Sequence, residues 1–303
     1  MASGGVFVLG EPLGELSEVR GGAARVGVGG DAFNTAVYLR RAGVPVQMLT
    51  ALGTDPMSAS VEAVMRAEGI GTDHLCRSSD RPVGLYAIET DEVGERSFTY
   101  WRSESAYRGL FDLPGCEAAL DRAARAELLY LSGISLSAFG AGERERIVVL
   151  ARQVRANGGQ VAFDTNYRPR GWPSARAARE AIRALAPHVS IALPTFEDEA
   201  ALFGHENPQE ALNAWAAAGA SEVCVKCGPD GALTSAHGWV RPSVVRAPLD
   251  TTGAGDSFNG AYLAARLRGE APDRAAAAGN ALAGEVIMVR GALTPRNMAA
   301  PAA

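Results

Sequence analysis

Residues 250–258 read Asp-Thr-Thr-Gly-Ala-Gly-Asp-Ser-Phe, and this stretch decides the fold and the chemistry that we predict. Its small residues end at an acid that begins a long helical pattern, which predicts a turn followed by a helix N-terminus. Gly253, Ala254 and Gly255 would present successive backbone N–H groups there, where unpaired donors and the helix dipole bind anions. We expect the same field to hold Asp256 ionised, so that it could accept a proton from a hydroxyl group. An anion hole beside a carboxylate base is what phosphoryl transfer requires.

The same residues taken alone also fit a simpler interpretation, in which Asp256 is only an N-cap and the glycines form only a turn. The chain has no GxxxxGK(S/T) segment and no H-R-D-x-x-x-x-N segment. Neither a P-loop protein nor a protein kinase is therefore predicted.

A second glycine-rich segment, residues 27–32, reads Gly-Val-Gly-Gly-Asp-Ala and matches the GxGxxA pattern of dinucleotide-binding turns. That pattern must directly follow a strand and open a helix, and the polar, glycine-rich residues 17–24 predict no strand there. We therefore favour close backbone recognition of a small ligand, with Asn34 offering a donor and an acceptor one turn into the helix. A nicotinamide or flavin oxidoreductase is the alternative.

A third segment, residues 226–231, reads Lys-Cys-Gly-Pro-Asp-Gly and follows a predicted strand. Pro-Asp-Gly is strong turn chemistry. The carboxyl end of a strand is also where α/β proteins bind ligands. The segment can therefore be a β-turn and a ligand-binding loop at once.

Short apolar runs alternate with helical patterns along most of the chain, which predicts a doubly wound α/β fold with a mostly parallel sheet. The predicted strands are residues 6–10, 46–51, 128–132, 161–164, 189–193 and 223–226. The predicted helices are residues 32–42, 56–68, 142–157, 174–186, 208–218, 256–268 and 272–289.

Residues 84–90 and 96–101 break this pattern because they alternate with period two around a turn-forming segment at 91–94. They predict a β-hairpin that exposes Tyr86, Phe98, Tyr100 and Trp101, either as a lid or as a dimer surface. We expect one domain spanning residues 1–303, with lid strands at about 11–26 and 84–102 inserted in it. The apolar hairpin also predicts a homodimer or a higher homo-oligomer.

The composition is ordinary for a globular protein: 303 residues, 47% hydrophobic, with a net charge of −5. A mildly acidic chain does not favour nucleic acid or an anionic membrane as a partner. No signal-peptide pattern and no bilayer-spanning run is evident, so a cytoplasmic location is expected. Cys224 and Cys227 have CxxC spacing on a predicted strand, where residues three apart point to opposite faces, so they are interpreted as packing residues.

Two signatures in the right order resemble the ribokinase-like carbohydrate kinases, namely DTTGAGDSFNGAYLA from residue 250 and GGDAFNTAVYLRRAG from residue 29. Further segments are similar to the 2-dehydro-3-deoxygluconate kinases of that family: residues 10–16, 84–102, 129–136 and 163–172. The resemblance implies a ribokinase-like fold with a small β-sheet lid. It also implies phosphorylation of the terminal hydroxyl of 2-dehydro-3-deoxygluconate, with ATP and Mg²⁺, and in some relatives K⁺.

The resemblance also assigns roles to single residues. Asp256 matches the catalytic base, and Gly253, Ala254 and Gly255 match the anion hole. Substrate positions are matched by Gly30, Asn34, Tyr86, Tyr100, Arg102, Arg168 and Asp256. Nucleotide positions are matched by Asn166, Arg168, Lys226, Gly228, Gly231, Gly253, Gly255 and Asn280. Asp250 matches a position that supports a monovalent-cation site in some relatives.

One departure from the family concerns magnesium. Thr195 stands where the family usually has Asn, and Asp198 stands where it usually has the Glu that organises the metal. Asp is still a hard oxygen ligand, directly or through water. Asp198 is therefore predicted to act on Mg²⁺ through water.

The proposed substrate agrees with the cations that the chain offers. A sugar acid needs a cation as well as hydrogen bonds, and arginine can grip a carboxylate with two bonds. Arg102 and Arg168 are the candidates, although each could instead be a solvated surface charge, and Arg168 could face the nucleotide phosphates. The alternatives are a fructokinase, a 5-dehydro-2-deoxygluconokinase, or a sugar-acid-binding regulator without catalysis.

Overall fold

A mostly parallel sheet of eight strands forms the centre of the structure, a computed structural model that describes residues 4–20, 23–90 and 96–296. In chain order the strands are β1 (Val6–Leu9), β2 (Leu13–Arg20), β3 (Ala23–Gly29), β4 (Val46–Leu49), β5 (Ala51–Leu52), β6 (Cys76–Arg77), β7 (Leu85–Thr90), β8 (Arg96–Trp101), β9 (Leu128–Ser132), β10 (Gln160–Asp164), β11 (Ile191–Ala192), β12 (Glu222–Lys226), β13 (Ala232–Thr234) and β14 (Gly238–Val240). The central order is β14-β13-β12-β11-β10-β9-β1-β4, and only β13 and β14 run antiparallel to their neighbours.

Helices cover both faces of this sheet. They are α1 (Asp31–Arg41), α2 (Pro56–Ala67), α3 (Cys116–Ala123), α4 (Gly133–Ser137), α5 (Ala141–Ala156), α6 (Ala175–Leu185), α7 (Phe196–Phe203), α8 (Pro208–Ala217), α9 (Ala254–Leu267) and α10 (Pro272–Val286). Val6 and Val8 of β1 belong to the core cluster that contains residues of α1 and α9. Phe7 and Leu9 point the other way, into the cluster that contains residues of α5 and α6. A strand buried on both faces needs a continuous apolar run, which is why these runs predict the sheet.

Most of the predicted elements are found within two residues of their predicted ends. Two predicted strands are shorter than expected. Residues 46–51 divide into β4 and β5, and β5 pairs with β6 in a separate two-stranded sheet. Residues 189–193 form only the two-residue strand β11. Both residues of the CxxC segment are buried cysteines without a disulfide, in agreement with a packing role.

A second sheet, which we call the small sheet, consists of β2, β3, β7 and β8 in the order β3-β2-β7-β8. The predicted hairpin is present as the antiparallel pair β7–β8, and its predicted turn at 91–94 lies outside the described residues. Among the described residues, no helix is both long and apolar enough to cross a bilayer.

The expectation that no strand precedes the segment at 27–32 is wrong, because β3 ends at Gly29 directly before α1. This strand belongs to the small sheet and pairs antiparallel with β2. It therefore does not form the β-α-β unit that a dinucleotide-binding turn needs. Gly30, the N-cap of α1, has a φ of 124°, a conformation that favours glycine.

Candidate active site

The predicted anion hole is a helix N-terminus, as the sequence indicates. Gly253 is the N-cap of α9 with a φ of 77°, and Ala254, Gly255 and Asp256 form the first turn. The Ala254 N–H donates to the Thr251 carbonyl at 3.2 Å, and the Ser257 N–H donates to the Gly253 carbonyl at 2.8 Å. Within the described ranges, the N–H groups of Gly255 and Asp256 meet no backbone acceptor. Two donors at a helix N-terminus are thus available to an anion.

Asp256 is only 8% exposed, and Asn34 of α1 donates its side-chain N–H to Asp256 Oδ2 at 2.8 Å. Burial raises the pKa of Asp256 to about 7, and the charge of Asp31 adds to the effect, while the Asn34 hydrogen bond opposes it. Burial therefore opposes the expected effect of the helix field, which would hold Asp256 ionised, in the protein without ligands. A pKa near 7 suits a general base at neutral pH.

Asp31, the first residue of α1, is a site residue that the sequence analysis did not single out. Ser132 donates its hydroxyl to Asp31 Oδ2, and Asn166 Nδ2 lies 3.3 Å from the same oxygen. Burial raises the pKa of Asp31, and the Ser132 hydrogen bond lowers it. In the sequence, Asp31 is marked as a candidate only by its position inside the glycine-rich segment at 27–32.

The Lys226 side chain points into the protein and is buried. Its Nζ lies 2.6 Å from Asp164 Oδ2 and 3.1 Å from Asn259 Oδ1, and Asn259 Nδ2 donates to Asp164 Oδ2 at 2.7 Å. A Cβ built on Gly255 would lie 3.6 Å from Lys226 Nζ. Lys226 therefore brings a buried positive charge close to the anion hole, and Asp164 and Asn259 hold it there.

The other predicted nucleotide residues lie around the end of β14. A Cβ built on Gly231 would lie 2.3 Å from the Val240 carbonyl oxygen, and the Asn280 side chain donates to the same oxygen at 2.9 Å. Gly228 begins the 3-10 turn Gly228–Asp230 that leads into this contact. The fold thus brings Gly231 of the loop and Asn280 of α10 to one backbone group.

Tyr86 and Tyr100 face each other across the hairpin, with ring centroids 5.9 Å apart. The prediction that both are exposed is wrong for Tyr86, which is buried and donates its hydroxyl to Glu15. Tyr100 is 52% exposed. The charges of Arg102, Arg168 and Asp31 all influence the pKa of Tyr100, which burial raises. A Cβ built on Gly29 would lie 2.2 Å from the Tyr86 hydroxyl, so this face of the small sheet lies next to the residues that lead into α1.

The two predicted carboxylate-binding arginines both contact acids. Arg102 pairs with Glu11, a buried residue that the sequence analysis did not assign to the site. Arg168 Nη1 lies 3.0 Å from Asp198 Oδ1. Burial raises the pKa of Asp198, and the Arg168 charge lowers it. Asp198 thus lies beside a cation, and no group of three or more metal-ligating side chains occurs in the part of the chain that the structure describes.

Asp250 closes the turn that precedes the anion hole. Its Oδ1 accepts hydrogen bonds from the Thr252 N–H at 3.1 Å and from the Thr252 hydroxyl at 2.7 Å. Its Oδ2 accepts one from the Gly291 N–H. These bonds tie residues 250–252 to the segment after α10.

Comparisons with known proteins agree with this arrangement. The family model described as pfkB family carbohydrate kinase matches residues 10–298. The 2-dehydro-3-deoxygluconokinase of Escherichia coli K12 is 41% identical over 301 residues, covering 96% of this chain and 97% of that protein. The same enzyme of Dickeya dadantii is 40% identical, covering 97% and 98%.

Solved structures show the same fold. A PfkB protein from Polaromonas sp. JS666 superposes with a TM-score of 0.83 at 27% identity, covering 96% of this chain and 97% of that one. The aminoimidazole riboside kinase of Salmonella enterica, solved with aminoimidazole riboside and an ATP analogue, has a TM-score of 0.79 at 26% identity and covers 96% of each chain.

Proposed function

The chain belongs to the pfkB family of carbohydrate kinases, and on that premise we propose that it transfers the terminal phosphate of ATP to the terminal hydroxyl of 2-dehydro-3-deoxygluconate. The product is 2-dehydro-3-deoxy-6-phosphogluconate. Two relatives that catalyse this reaction are 40–41% identical over nearly the whole chain. The observation that carries the chemistry is the buried Asp256, fixed by Asn34 at 2.8 Å beside the free N–H groups of α9.

The reaction follows from what each group can do. Asp256 accepts the proton of the attacking hydroxyl, and Asn34 holds the carboxylate in place. The N–H groups of Gly255 and Asp256 stabilise the charge that develops on the transferred phosphoryl group. Lys226 adds a fixed positive charge behind them. No reorganisation of these groups is needed during the transfer, because the fold has already oriented them.

Magnesium bound with ATP neutralises phosphate charge during such a transfer. Asp198 supplies a hard oxygen, and its pairing with Arg168 favours contact with the ion through water rather than direct ligation. Asp250 is proposed to support a monovalent-cation site through the turn that it closes. Because the reaction consumes ATP, we place it in the cytoplasm.

We also propose that a second copy of the chain packs on the small sheet. Trp101 and Val26 are each 56% exposed. The register puts them on the same face of the sheet, opposite to Tyr86 and Tyr100. Large exposed apolar residues on one sheet face are typical of an interface. The face with Tyr86 would then serve the substrate and the opposite face the partner.

A substrate panel tests the proposed reaction. ADP release is measured with ATP and Mg²⁺ for 2-dehydro-3-deoxygluconate, fructose, ribose and adenosine, with Asp256→Asn as the control for background ATP hydrolysis. We expect the highest kcat/KM for the sugar acid. A higher value for any neutral sugar would reject this substrate. Tight binding of the acid without ADP release would indicate a regulator instead of a kinase.

A further inference from the structure

A group of buried polar side chains that the proposed reaction does not use follows the carboxyl ends of β1 and β8 in the chain. We call it the polar cluster, and it consists of Glu11, Arg102, Ser105 and Tyr107. Glu11, Ser105 and Tyr107 are 4%, 2% and 1% exposed. Glu11 and Arg102 are in ionic contact. Beyond that contact between Arg102 Nη2 and Glu11 Oε2, Glu11 Oε1, Arg102 Nε and the hydroxyls of Ser105 and Tyr107 have no hydrogen bond within the described residues.

Unpaired groups at this depth are unusual. Buried side-chain polar atoms in native proteins nearly always have a partner, because leaving one unpaired costs free energy. Ser135 lies close enough to Tyr107 for its side chain to lower the Tyr107 pKa, but no hydrogen bond of ordinary geometry joins the two hydroxyls. Several unpaired donors in one place indicate that a polar ligand completes the cluster.

The polar cluster adjoins the predicted substrate residues. A Cβ built on Gly30 would lie 2.4 Å from the Glu11 carbonyl oxygen. A Cβ built on Gly84 would lie 2.7 Å from Glu11 Oε1 and 3.0 Å from Arg102 Cβ. The charges of Glu11, Asp31 and Arg102 all act on Tyr107. The cluster therefore lies between the start of α1, which carries Asn34, and the hairpin that carries Tyr86.

The unpaired groups define the ligand by their chemistry. Arg102 keeps free N–H donors although Glu11 balances its charge. Burial raises the pKa of Tyr107 well above its usual value, so the phenol stays protonated and remains a donor. Ser105 adds a further hydroxyl. A carboxylate is the group that accepts hydrogen bonds from several such donors at once.

We propose that Tyr107 is a specificity-determining residue whose hydroxyl donates a hydrogen bond to the carboxylate of the sugar acid, beside Arg102, whose guanidinium Glu11 holds in position. This inference rests on the proposed function, and it specifies which end of the substrate the polar cluster binds. It places the acid group at the polar cluster and the terminal hydroxyl at Asp256.

The test is the variant Tyr107→Phe, which removes one hydroxyl and keeps the ring packed against Phe139, whose ring centroid is 4.8 Å away. Steady-state kinetics are measured with 2-dehydro-3-deoxygluconate and with its C1 amide, which has no negative charge. We expect KM for the acid to rise about tenfold or more, as for a lost hydrogen bond to a charged group, with kcat within twofold. The preference for the acid over the amide should fall by a similar factor.

The matched control is Tyr262→Phe, because the Tyr262 hydroxyl donates to Glu222 at 2.8 Å and neither residue belongs to the polar cluster. We expect this variant to melt at a lower temperature and to keep its KM, whereas Tyr107→Phe should raise KM for the acid. An unchanged KM in Tyr107→Phe would overturn the inference, and so would an equal loss on acid and amide. Failure of the unmodified protein to phosphorylate the acid would instead reject the proposed function.

Discussion

At the scale of single residues, Asp256 has an environment that few carboxylates share. It is buried, it is close to the charge of Asp31, and the amide of Asn34 fixes one of its oxygens. The first two features make the ionised form costly in the absence of ligands. The third keeps the oxygen aimed in one direction. The same environment therefore bears on both the proposed activity and the stability of the protein.

Replacing Asp256 by Asn should separate these two effects. We expect kcat to fall about 10³- to 10⁴-fold because the base is lost, while Asn can still accept the hydrogen bond from Asn34. The melting temperature at pH 8 should rise by a few degrees, because a buried carboxylate is no longer forced to ionise. ADP release and thermal denaturation measure the two effects. Activity within tenfold of the unmodified protein would contradict the role of Asp256.

The pH dependence of activity should report the same group. With its pKa raised to about 7, Asp256 is protonated and inactive at low pH. The value of kcat/KM should therefore rise with pH through about 7 and then level off. The sign for stability is opposite: the folded-state pKa exceeds the unfolded value, so the contribution of this group to stability falls as the pH rises from about 4 to about 7. The residual activity of Asp256→Asn should be flat over pH 6–8, and a flat profile for the unmodified protein would exclude this assignment.

At the scale of elements, α9 is flanked by glycines in the left-handed conformation at both ends. Gly253 has a φ of 77° and Gly269 a φ of 83°. A Cβ on Gly253 would lie 2.7 Å from the Ala292 carbonyl oxygen, whereas a Cβ on Gly269 would have nothing within 4 Å. The two ends therefore differ in packing but not in backbone conformation.

This difference allows a matched comparison. Gly269→Ala should cost about 1 to 2 kcal/mol of unfolding free energy, the strain of a left-handed non-glycine residue. Gly253→Ala should cost more because of the clash with Ala292, and it should also lower kcat because the anion hole moves. Denaturant unfolding and ADP release provide both readouts. Equal costs at the two positions would show that the contact with Ala292 relaxes freely.

Much of the fold could be predicted because buried strands and amphipathic helices leave long patterns in the sequence. The strands β2 and β3 overlap the segment where lid strands are expected, about 11–26, but hydrophobic periodicity does not define them, because residues 23–26 are exposed and the pairing of β2 with β7 holds the strands in place. The predicted helix N-terminus depends on local sequence and begins at Gly253, but the Ala254 N–H is already bonded to Thr251, so the available donors are those of Gly255 and Asp256. Glu11 and Asp31 were missed because the burial of a single acid depends on distant segments that meet only in the folded chain.

At the scale of the whole molecule, the small sheet can act both on the site and on a partner, since its two faces carry different residues. Tyr86 and Tyr100 lie on one face, and Trp101 and Val26 on the other. The sequence left a lid and a dimer surface as alternatives. Because side chains alternate along a strand, one hairpin can do both.

The variant Trp101→Glu tests the interface. We expect light scattering to give about twice the chain mass of 31.5 kDa for the unmodified protein and a value near one chain mass for the variant, because a charge cannot be buried in an apolar contact. Val245→Glu is the control, since Val245 is 66% exposed but lies outside the small sheet. A monomeric unmodified protein would contradict the proposed assembly.

The hydrogen bond between Asn34 and Asp256 joins residues that are 222 positions apart. A ribosome adding about 5 to 20 residues per second needs about 10 to 45 s to cover that distance. During that time the nascent chain carries α1 without α9, and the part of α1 that packs on α9 has no permanent cover. Newly made chains are thus open to chaperones until α9 has been made, and the proposed base is absent before then.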